Sequence, residues 1–300
     1  MIACDPPFPV QSFSISDFPL PRKTPFWNHF PSQTSLSHSP VPTTPFSYPK
    51  LISQTESPSF EEWTKIIHKF KASKIPKVVL ARKTTLTFKN PVSPISLLHF
   101  LKKRSPNAFT FAILLSPNHA FVGATPEKLF SRKGKHLETE ALAGTATHFG
   151  PKEHQEFRYV KETLTQQLQT ICKPFNTSNE VFIKKAGNVS HLHYPFSVEL
   201  HSPLSNTKLI QFLHPTPAIG GYPRDEALSF IYEHEPFDRG WYAGTLSIDS
   251  EEEAHTYVTI RSCMIENNQM YIFTGAGITQ DSDPKKEWEE LNLKQNLFFL

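Results

Sequence analysis

Cysteine and glycine are both scarce in this 300-residue sequence, and each shortage narrows the possible structures. The three cysteines, Cys4, Cys172 and Cys263, have neither the even count of a disulfide framework nor the spacing of a metal site. This usage favours a reducing compartment, and we expect the protein to be cytoplasmic. The 11 glycines begin only at Gly123, so the composition changes along the chain.

Long apolar runs and a basic stripe are missing as well. No apolar run approaches the ~18 residues needed to cross a bilayer, and the N-terminal MIACDPPFPV lacks the basic and apolar regions of a signal peptide. The net charge is only +3, and the Lys and Arg residues are scattered. A nucleic-acid binder would gather them on one face. We therefore expect neither a membrane nor a nucleic acid as partner.

What the sequence does contain is ample apolar material and an uneven supply of proline. Hydrophobic residues make up 38% of the chain and aromatics 12%, enough for a buried core. Of the 27 prolines, 11 fall in residues 1–50, which is too many for long helices or central strands. We predict a proline-rich arm over 1–57 that packs on a folded domain over 58–300, with plain disorder of the arm as the alternative.

Regular structure is predicted from residue 58 onward, and it mixes helices with strands. Ser59 and Glu62 form a possible capping box before an apolar stripe of helical spacing. Further helices are predicted over PISLLHFLKK, over the long stretch 152–172 and at the C-terminal EWEELNLK. Strands are predicted over KVVLARKTTLTF, a hairpin from FTFAILL to HAFVGATPEKLF, HLETEALAGTATHFG, and a pair about the turn ENN that places Arg261 inside the strand YVTIRSCMI. This irregular alternation favours an α+β fold.

Two of these helices each carry a glutamate at the margin of their apolar face, Glu156 and Glu290. Two carboxylates, with water and an anionic ligand, are a common way to hold Mg²⁺. The alternative is an exposed helix face, since Glu290 stands four residues before Lys294. Arg261 and the amides of TGAG could hold an anion, although an arginine alone is more often a surface ion-pair partner and GAG more often a turn.

Seven sequence blocks occur in an order that resembles the isochorismate synthase branch of the chorismate-utilising enzymes: FVGATPEKLF, LETEALAGT, LHPTPAIGGYPRDEA, EPFDRGWYAG, TIRSCMI, GAGI and SDPKKEWEELNLK. The resemblance spans residues 58–300. It implies an α+β fold of large, mostly antiparallel sheets flanked by helices in an α/β/β/α sandwich. It also implies a monomeric, Mg²⁺-dependent enzyme that isomerises chorismate, a cyclohexadiene with two carboxylates and a hydroxyl.

The resemblance implies specific roles for single residues. Lys77 matches the general base that takes a proton from the water attacking ring carbon 2, which requires a lowered lysine pKa. Glu127 matches the general acid that protonates the hydroxyl leaving carbon 4, which requires a protonated carboxyl. Glu156 and Glu290 match the two Mg²⁺ ligands, with Glu287 assisting.

The substrate-binding residues follow from the same resemblance. Arg261 should meet the enolpyruvyl carboxylate bidentately, with Tyr242 and the Gly275 amide beside it. Three more residues should line the site near the ring and its carboxylate: Gly144, His191 and Lys294.

Two positions favour water addition within the family, and a third favours an isochorismate synthase over a salicylate synthase. Ala143 stands where aminodeoxychorismate enzymes carry a lysine, and Lys77 is present where anthranilate enzymes lack such a base. Ala218 stands where salicylate synthases tend to have threonine. The resemblance thus implies an isochorismate synthase serving quinone or siderophore synthesis, with a salicylate synthase as the alternative within the family.

The sequence also departs from the family pattern. Phe157 replaces a usual histidine, Ser190 replaces a common glutamine, and the N-terminal segment is shorter than the family norm. A second hypothesis therefore stays open, a degenerate non-catalytic module that binds chorismate without turnover. The residues that the family uses as acid, base and metal ligands are all present, which argues against this second hypothesis.

Overall fold

Two antiparallel β-sheets form the frame of the molecule, and helices pack against them. The computed structural model describes residues 2–3, 12–19, 27–31, 46–146, 149–186, 189–250 and 252–299. Its strands are β1 (Ile2–Ala3), β2 (Ser12–Ser16), β3 (Trp27–Pro31), β4 (Leu51–Ser57), β5 (Lys77–Phe88), β6 (Phe109–Ser116), β7 (His119–Thr125), β8 (Lys128–Lys133), β9 (His136–Ala146), β10 (Phe182–Ala186), β11 (Val189–Glu199), β12 (Gly221–Tyr222), β13 (Thr245–Asp249), β14 (Glu253–Val258), β15 (Ser262–Glu266) and β16 (Gln269–Thr279). Its helices are α1 (Phe60–Ala72), α2 (Pro94–Arg104), α3 (Pro151–Ile171), α4 (Asn206–Leu213), α5 (Arg224–His234) and α6 (Pro284–Gln295).

Strand order shows how the two sheets are built. The first runs β1-β6-β7-β15-β16-β5-β12, with β4 also paired to β5, and the second runs β10-β11-β9-β8-β14-β13-β2-β3. Every pairing is antiparallel. One large apolar cluster joins α1, α3, α4 and α5 to both sheets. The α+β prediction, with large antiparallel sheets flanked by helices, is confirmed.

Local sequence explains where the predicted helices begin and which face they bury. The Ser59 side chain accepts a hydrogen bond from the Glu62 amide while the Glu62 carboxylate accepts one from the Ser59 amide, so the predicted capping box is present. In α3 the apolar residues spaced three and four apart are buried, as a helix with one buried face requires. This helix packs on β9 and β11, whereas α6 packs on β16 and α1.

Regular structure begins before residue 58, contrary to the prediction that it starts there. β2, β3 and β4 all precede it, with β2 pairing to β13 and β4 to β5. These short strands form because neighbouring strands supply their hydrogen bonds, and Pro31 lies at the end of an edge strand, where proline is tolerated. Residues 4–11, 20–26 and 32–45 of the arm lie outside the described residues. The division into an arm and a catalytic domain stays a prediction.

Arg261 does not lie within a strand, contrary to the sequence prediction. The apolar stretch around it divides into β14 and β15, which belong to different sheets. Arg261 occupies the crossing between them with a φ of 52°, a left-handed conformation that is uncommon for a non-glycine residue. The turn about ENN is confirmed, since Asn267 and Asn268 connect β15 to β16.

Two further observations concern membrane and redox properties. No helix in the described part of the chain is long and apolar enough to cross a membrane. Cys172 and Cys263 are buried free thiols, and Cys4 lies outside the described residues.

Candidate functional site

One cleft lies where β5 and β16 of the first sheet meet β9 and β11 of the second, beside α3 and α6. It brings together the residues predicted to be catalytic groups, substrate contacts and metal ligands: Lys77, Glu127, Gly144, Glu156, His191, Ala218, Tyr242, Arg261, Gly275, Glu290 and Lys294. These residues come from strands, helices and connecting segments across more than 200 positions of the chain. The structure therefore places them in one cleft, while the role of each stays a prediction. Glu287, predicted to assist the metal ligands, is not among the residues that line the cleft.

Glu156 enters the cleft from α3 and lies against a glycine of β16. A Cβ added at Gly277 would stand 2.9 Å from Glu156 Oε2, so only glycine leaves room for the carboxylate there. Lys152 Nζ is 3.6 Å from Glu156 Oε1, and Lys77 Nζ is 3.7 Å from Oε2. Both separations are ion-pair distances that exceed ordinary hydrogen-bond lengths.

The three carboxylates of α6 differ in exposure because they lie on different faces of the helix. Glu289 is exposed, as predicted, whereas Glu287 is buried and Glu290 lines the cleft. Lys294 Nζ donates to Glu290 Oε1 at 2.6 Å and to the Gly275 carbonyl at 2.7 Å. Adjacent helical residues point about 100° apart, and this rotation turns Glu289 away while its neighbour faces the site.

Lys152 links the two carboxylate-bearing helices. Its Nζ donates to Glu287 Oε1 at 2.5 Å and lies near Glu156. Burial alone would lower the pKa of Lys152, but three surrounding carboxylates outweigh it and raise that pKa: Glu156, Glu287 and Glu290. The ammonium of Lys152 thus lies among negative charges from both α3 and α6.

The donor set suits a hard divalent cation. Among the described residues, no group of three or more His, Cys, Asp and Glu side chains is arranged to hold a metal. Three of the described carboxyl groups line the cleft, and burial raises the pKa of one of them, Glu127, to about 8, so the candidate ligands are the other two, Glu156 and Glu290. This number fits Mg²⁺, which commonly takes one or two carboxylates and keeps several waters. Because Gly277 has no side chain, the Glu156 carboxylate can lie directly against β16 at the wall of the cleft.

Lys77 begins β5 and is only 1% exposed. Burial lowers the pKa of Lys77, and the cations of Lys152 and Lys294 lower it further, whereas Glu156 opposes the shift. A neutral amine is the form that can accept a proton. The pKa of Lys77 is therefore shifted in the direction that a general base needs.

Glu127 lies between β7 and β8 and is 8% exposed. Its amide donates to Thr125 Oγ1, and its carbonyl accepts from the Val258 amide, so its backbone is fixed on both sides. Burial, followed by the charge of Glu140, raises the pKa of Glu127 to about 8. This carboxyl is therefore protonated near neutral pH, as a general acid must be.

The cleft also contains a cation, a hydroxyl and a closely packed glycine, supplied by Arg261, Tyr242 and Gly275. Arg261 lines it, and the Tyr242 hydroxyl would be 2.8 Å from a Cβ added at Gly275. The Tyr242 ring stacks on Phe273 with centroids 5.2 Å apart, which fixes its orientation. Burial lowers the pKa of His191 to about 3, so its ring is neutral at physiological pH. A carboxylate here would meet a cation and neutral donors.

Sequence reasoning missed Arg239, which lines the same cleft and is 2% exposed. It donates through Nε to Glu235 Oε2 at 2.8 Å and through an Nη to Glu235 Oε1 at 2.6 Å. The same Nη donates to the Val79 carbonyl at 2.7 Å, while the Ala81 amide donates to Glu235. On this side β5 changes partner from β12 at Val78 to β4 at Lys83. The ion pair supplies hydrogen bonds to β5 between these two partners.

We expect Arg239→Ala to lower the free energy of unfolding by about 3–5 kcal/mol, because it leaves the Glu235 carboxylate buried without its cation. Urea unfolding followed by circular dichroism measures this. The matched control is Lys65→Ala, which breaks an exposed pair of the same four-residue spacing and should leave the free energy of unfolding nearly unchanged. Equal losses in the two variants would contradict a structural role for Arg239.

Comparisons with known proteins agree with this geometry. Residues 26–298 match the family described as chorismate binding enzyme. The chain is 32% identical to the chloroplastic isochorismate synthase of Catharanthus roseus, over 84% of this chain and 47% of that protein. It is 34% identical to the isochorismate synthase MenF of Haemophilus influenzae, over 75% of this chain and 55% of that protein.

A solved structure of another protein has a similar fold. The menaquinone-specific isochorismate synthase MenF of Escherichia coli superposes with a TM-score of 0.79 at 30% identity, covering 86% of this chain and 65% of that one. The chain spans about half the length of the curated relatives it matches. The extent of the family match and the shared fold lead to one conclusion: the chain belongs to the family of chorismate binding enzymes.

Proposed function

We propose that this chain converts chorismate to isochorismate reversibly, by adding water at ring carbon 2 and releasing the hydroxyl of carbon 4. The observation that carries the proposal is the pairing, in one cleft, of a buried lysine of lowered pKa with a buried carboxyl of raised pKa. The relatives named as isochorismate synthases support the same reaction.

The two groups have complementary tasks in this reaction. Lys77 Nζ takes a proton from water as the oxygen–carbon 2 bond forms, and Glu127 gives its proton to the oxygen as the carbon 4 bond breaks. The ring double bond shifts, and one water is consumed and one released, so the reaction is an isomerisation. Arg261 and Tyr242 would hold the enolpyruvyl carboxylate, and Val79, Ile219 and Phe273 add apolar surface to the wall of the cleft.

Incubating the purified protein with chorismate and MgCl₂ and separating the products by chromatography tests the proposal. Isochorismate is the expected product. Salicylate as the main product would instead favour the lyase alternative, against the alanine at position 218 in the cleft wall. Bound but unconverted chorismate would favour a non-catalytic binding module.

For the metal, we propose Glu156 and Glu290 as the ligands of Mg²⁺. The bound ion would neutralise the ring carboxylate of the substrate. The fit lies in two carboxylates that face one cleft from α3 and α6, with Glu156 placed against Gly277. We also propose that the protein acts as a monomer in the cytoplasm, which light scattering and cell fractionation can test.

Glu290→Gln should weaken Mg²⁺ binding by more than about tenfold, since a carboxamide is a poor ligand for a hard cation. Glutamine keeps an oxygen that can still accept from Lys294, so that contact is preserved. Isothermal titration calorimetry with Mg²⁺ measures the change without relying on activity. Glu289→Gln removes the same charge from the exposed side of α6 and should leave the affinity within about twofold. Equal weakening in both variants would remove Glu290 from the ligand set.

A further inference from the structure

A second cavity opens beside the reaction cleft and shares a wall with it. Five residues line both spaces: Pro126, Leu142, His191, Arg261 and Lys294. Beyond them the second cavity is bounded by the last residue of α2 and the segment 105–108 that follows it, by Lys184 and Lys185 of β10, and by the end of α6 with the turn that follows. We call this space the vestibule. Its position makes it a route between solvent and the cleft.

Charge of one sign is concentrated in the vestibule. Five cationic residues are among the described residues that line it, and no Asp or Glu is: the five are Arg104, Lys184, Lys185, Arg261 and Lys294. Lys184 is paired with Glu140 and Lys294 with Glu290, two carboxylates outside that lining, so the excess of positive charge rests on the other three. Over the whole chain the two signs nearly balance, with 31 Lys and Arg against 28 Asp and Glu. The positive charge is therefore a local feature. A concave surface with low-dielectric walls and charges of one sign focuses the field and attracts ligands of the opposite sign.

Several of these cations are fixed by contacts with the protein. Arg104 donates to the carbonyls of Phe299 and Asn296, at 2.6 and 3.2 Å. Lys184 donates to both oxygens of Glu140 at 2.7 Å. Lys185, by contrast, is exposed on the edge strand β10.

We propose that the vestibule attracts a dicarboxylate from solvent and passes it to Arg261 and Lys294, the two cations that line both cavities. Lys185 acts at the outer end, where it increases the local concentration of the anion without touching the reacting atoms. The identity of the dicarboxylate as chorismate rests on the proposed function. The attraction itself rests on the arrangement of charges.

Charge reversal at Lys185 tests this. Lys185→Glu should lower kcat/KM for chorismate about tenfold at ~20 mM ionic strength and only about twofold at ~300 mM, because added salt screens charges beyond a Debye length. The loss should appear in KM, with kcat unchanged, since a charge on the access route affects association more than chemistry. Lys185→Arg keeps the charge and should retain the wild-type kcat/KM.

The control is Lys71→Glu, which makes the same change of charge at an exposed residue of α1 that lines neither cavity. Calorimetric titration with chorismate in EDTA gives a second readout that needs no turnover. If Lys185→Glu and Lys71→Glu behave alike at every salt concentration while isochorismate still forms, the vestibule proposal is wrong and the proposed function stands. If chorismate binds with the expected salt dependence but is not converted, the proposed function is wrong and the vestibule stands. Absence of any chorismate binding would overturn both.

Discussion

Lys77→Met is expected to lower kcat by about 10³-fold or more while chorismate binding changes by less than about threefold. A general base acts in the transition state, so its removal costs rate rather than ground-state affinity. Methionine has a similar length and fills the space of a side chain that is 1% exposed. Initial rates with chorismate and Mg²⁺, together with calorimetric titration, separate the two quantities.

Unfolding is not expected to explain the loss in Lys77→Met. Burial holds the pKa of Lys77 below its ordinary value, so the unfolded chain binds the proton more tightly than the folded protein does. At neutral pH this difference opposes folding, and removing the amine should leave the melting temperature equal or higher. Lys83→Met, on the same strand and outside the cleft lining, should keep full activity. Wild-type kcat in Lys77→Met would assign the base to another group.

The elements that the sequence predicted are those with a strong local signal. The helix after Ser59 has a capping box and a regular apolar stripe, and α3 has the same spacing over a longer stretch. No element was assigned between residues 173 and 254, where the structure has α4, α5 and several strands. Short elements such as α4 carry few apolar repeats, and they form because the sheets and helices around them bury those residues.

The segment around Arg261 shows a different limit of prediction from sequence. This segment, YVTIRSCMI, includes several β-branched and aromatic residues and no Gly or Pro, which predicts one strand. The break arises because the chain leaves one sheet and joins the other, and Arg261 takes a positive φ at the crossing. Nothing local requires this, since the partners that β14 and β15 pair with are distant in sequence.

The candidate site residues were predicted from the family resemblance, because residue spacing alone did not identify them. Glu290 and Lys294 have the spacing of an exposed helix pair, and only the packing of α6 on β16 turns them into the cleft. Glu235 and Arg239 have the same spacing and were given no role, although they lie in the block EPFDRGWYAG that carried the resemblance. Their burial is set by β5, which is distant in sequence.

Glu127→Gln should lower kcat by about 10²–10⁴-fold, because the amide cannot deliver a proton to the departing oxygen. In the wild-type enzyme the pKa of about 8 predicts a fall in rate as pH rises through that value, since only the protonated carboxyl can act. Several charges set this value besides burial, with Glu140 raising it and three lysines lowering it: Lys184, Lys77 and Lys294. The residual activity of Glu127→Gln should lack the decline near pH 8.

Stability gives an independent test of the same carboxyl. Its pKa in the folded protein lies above the ordinary glutamate value of 4.5, so its contribution to stability is complete below the unfolded pKa and is lost as pH rises through about 8. Compared with the wild type, Glu127→Gln should therefore gain stability between pH 5 and pH 9. Glu138→Gln, an exposed change on the neighbouring strand β9, should show neither effect. If the alkaline decline persists in Glu127→Gln with no gain in stability, the raised pKa belongs to another group, and the proton that leaves with the carbon 4 hydroxyl must come from there.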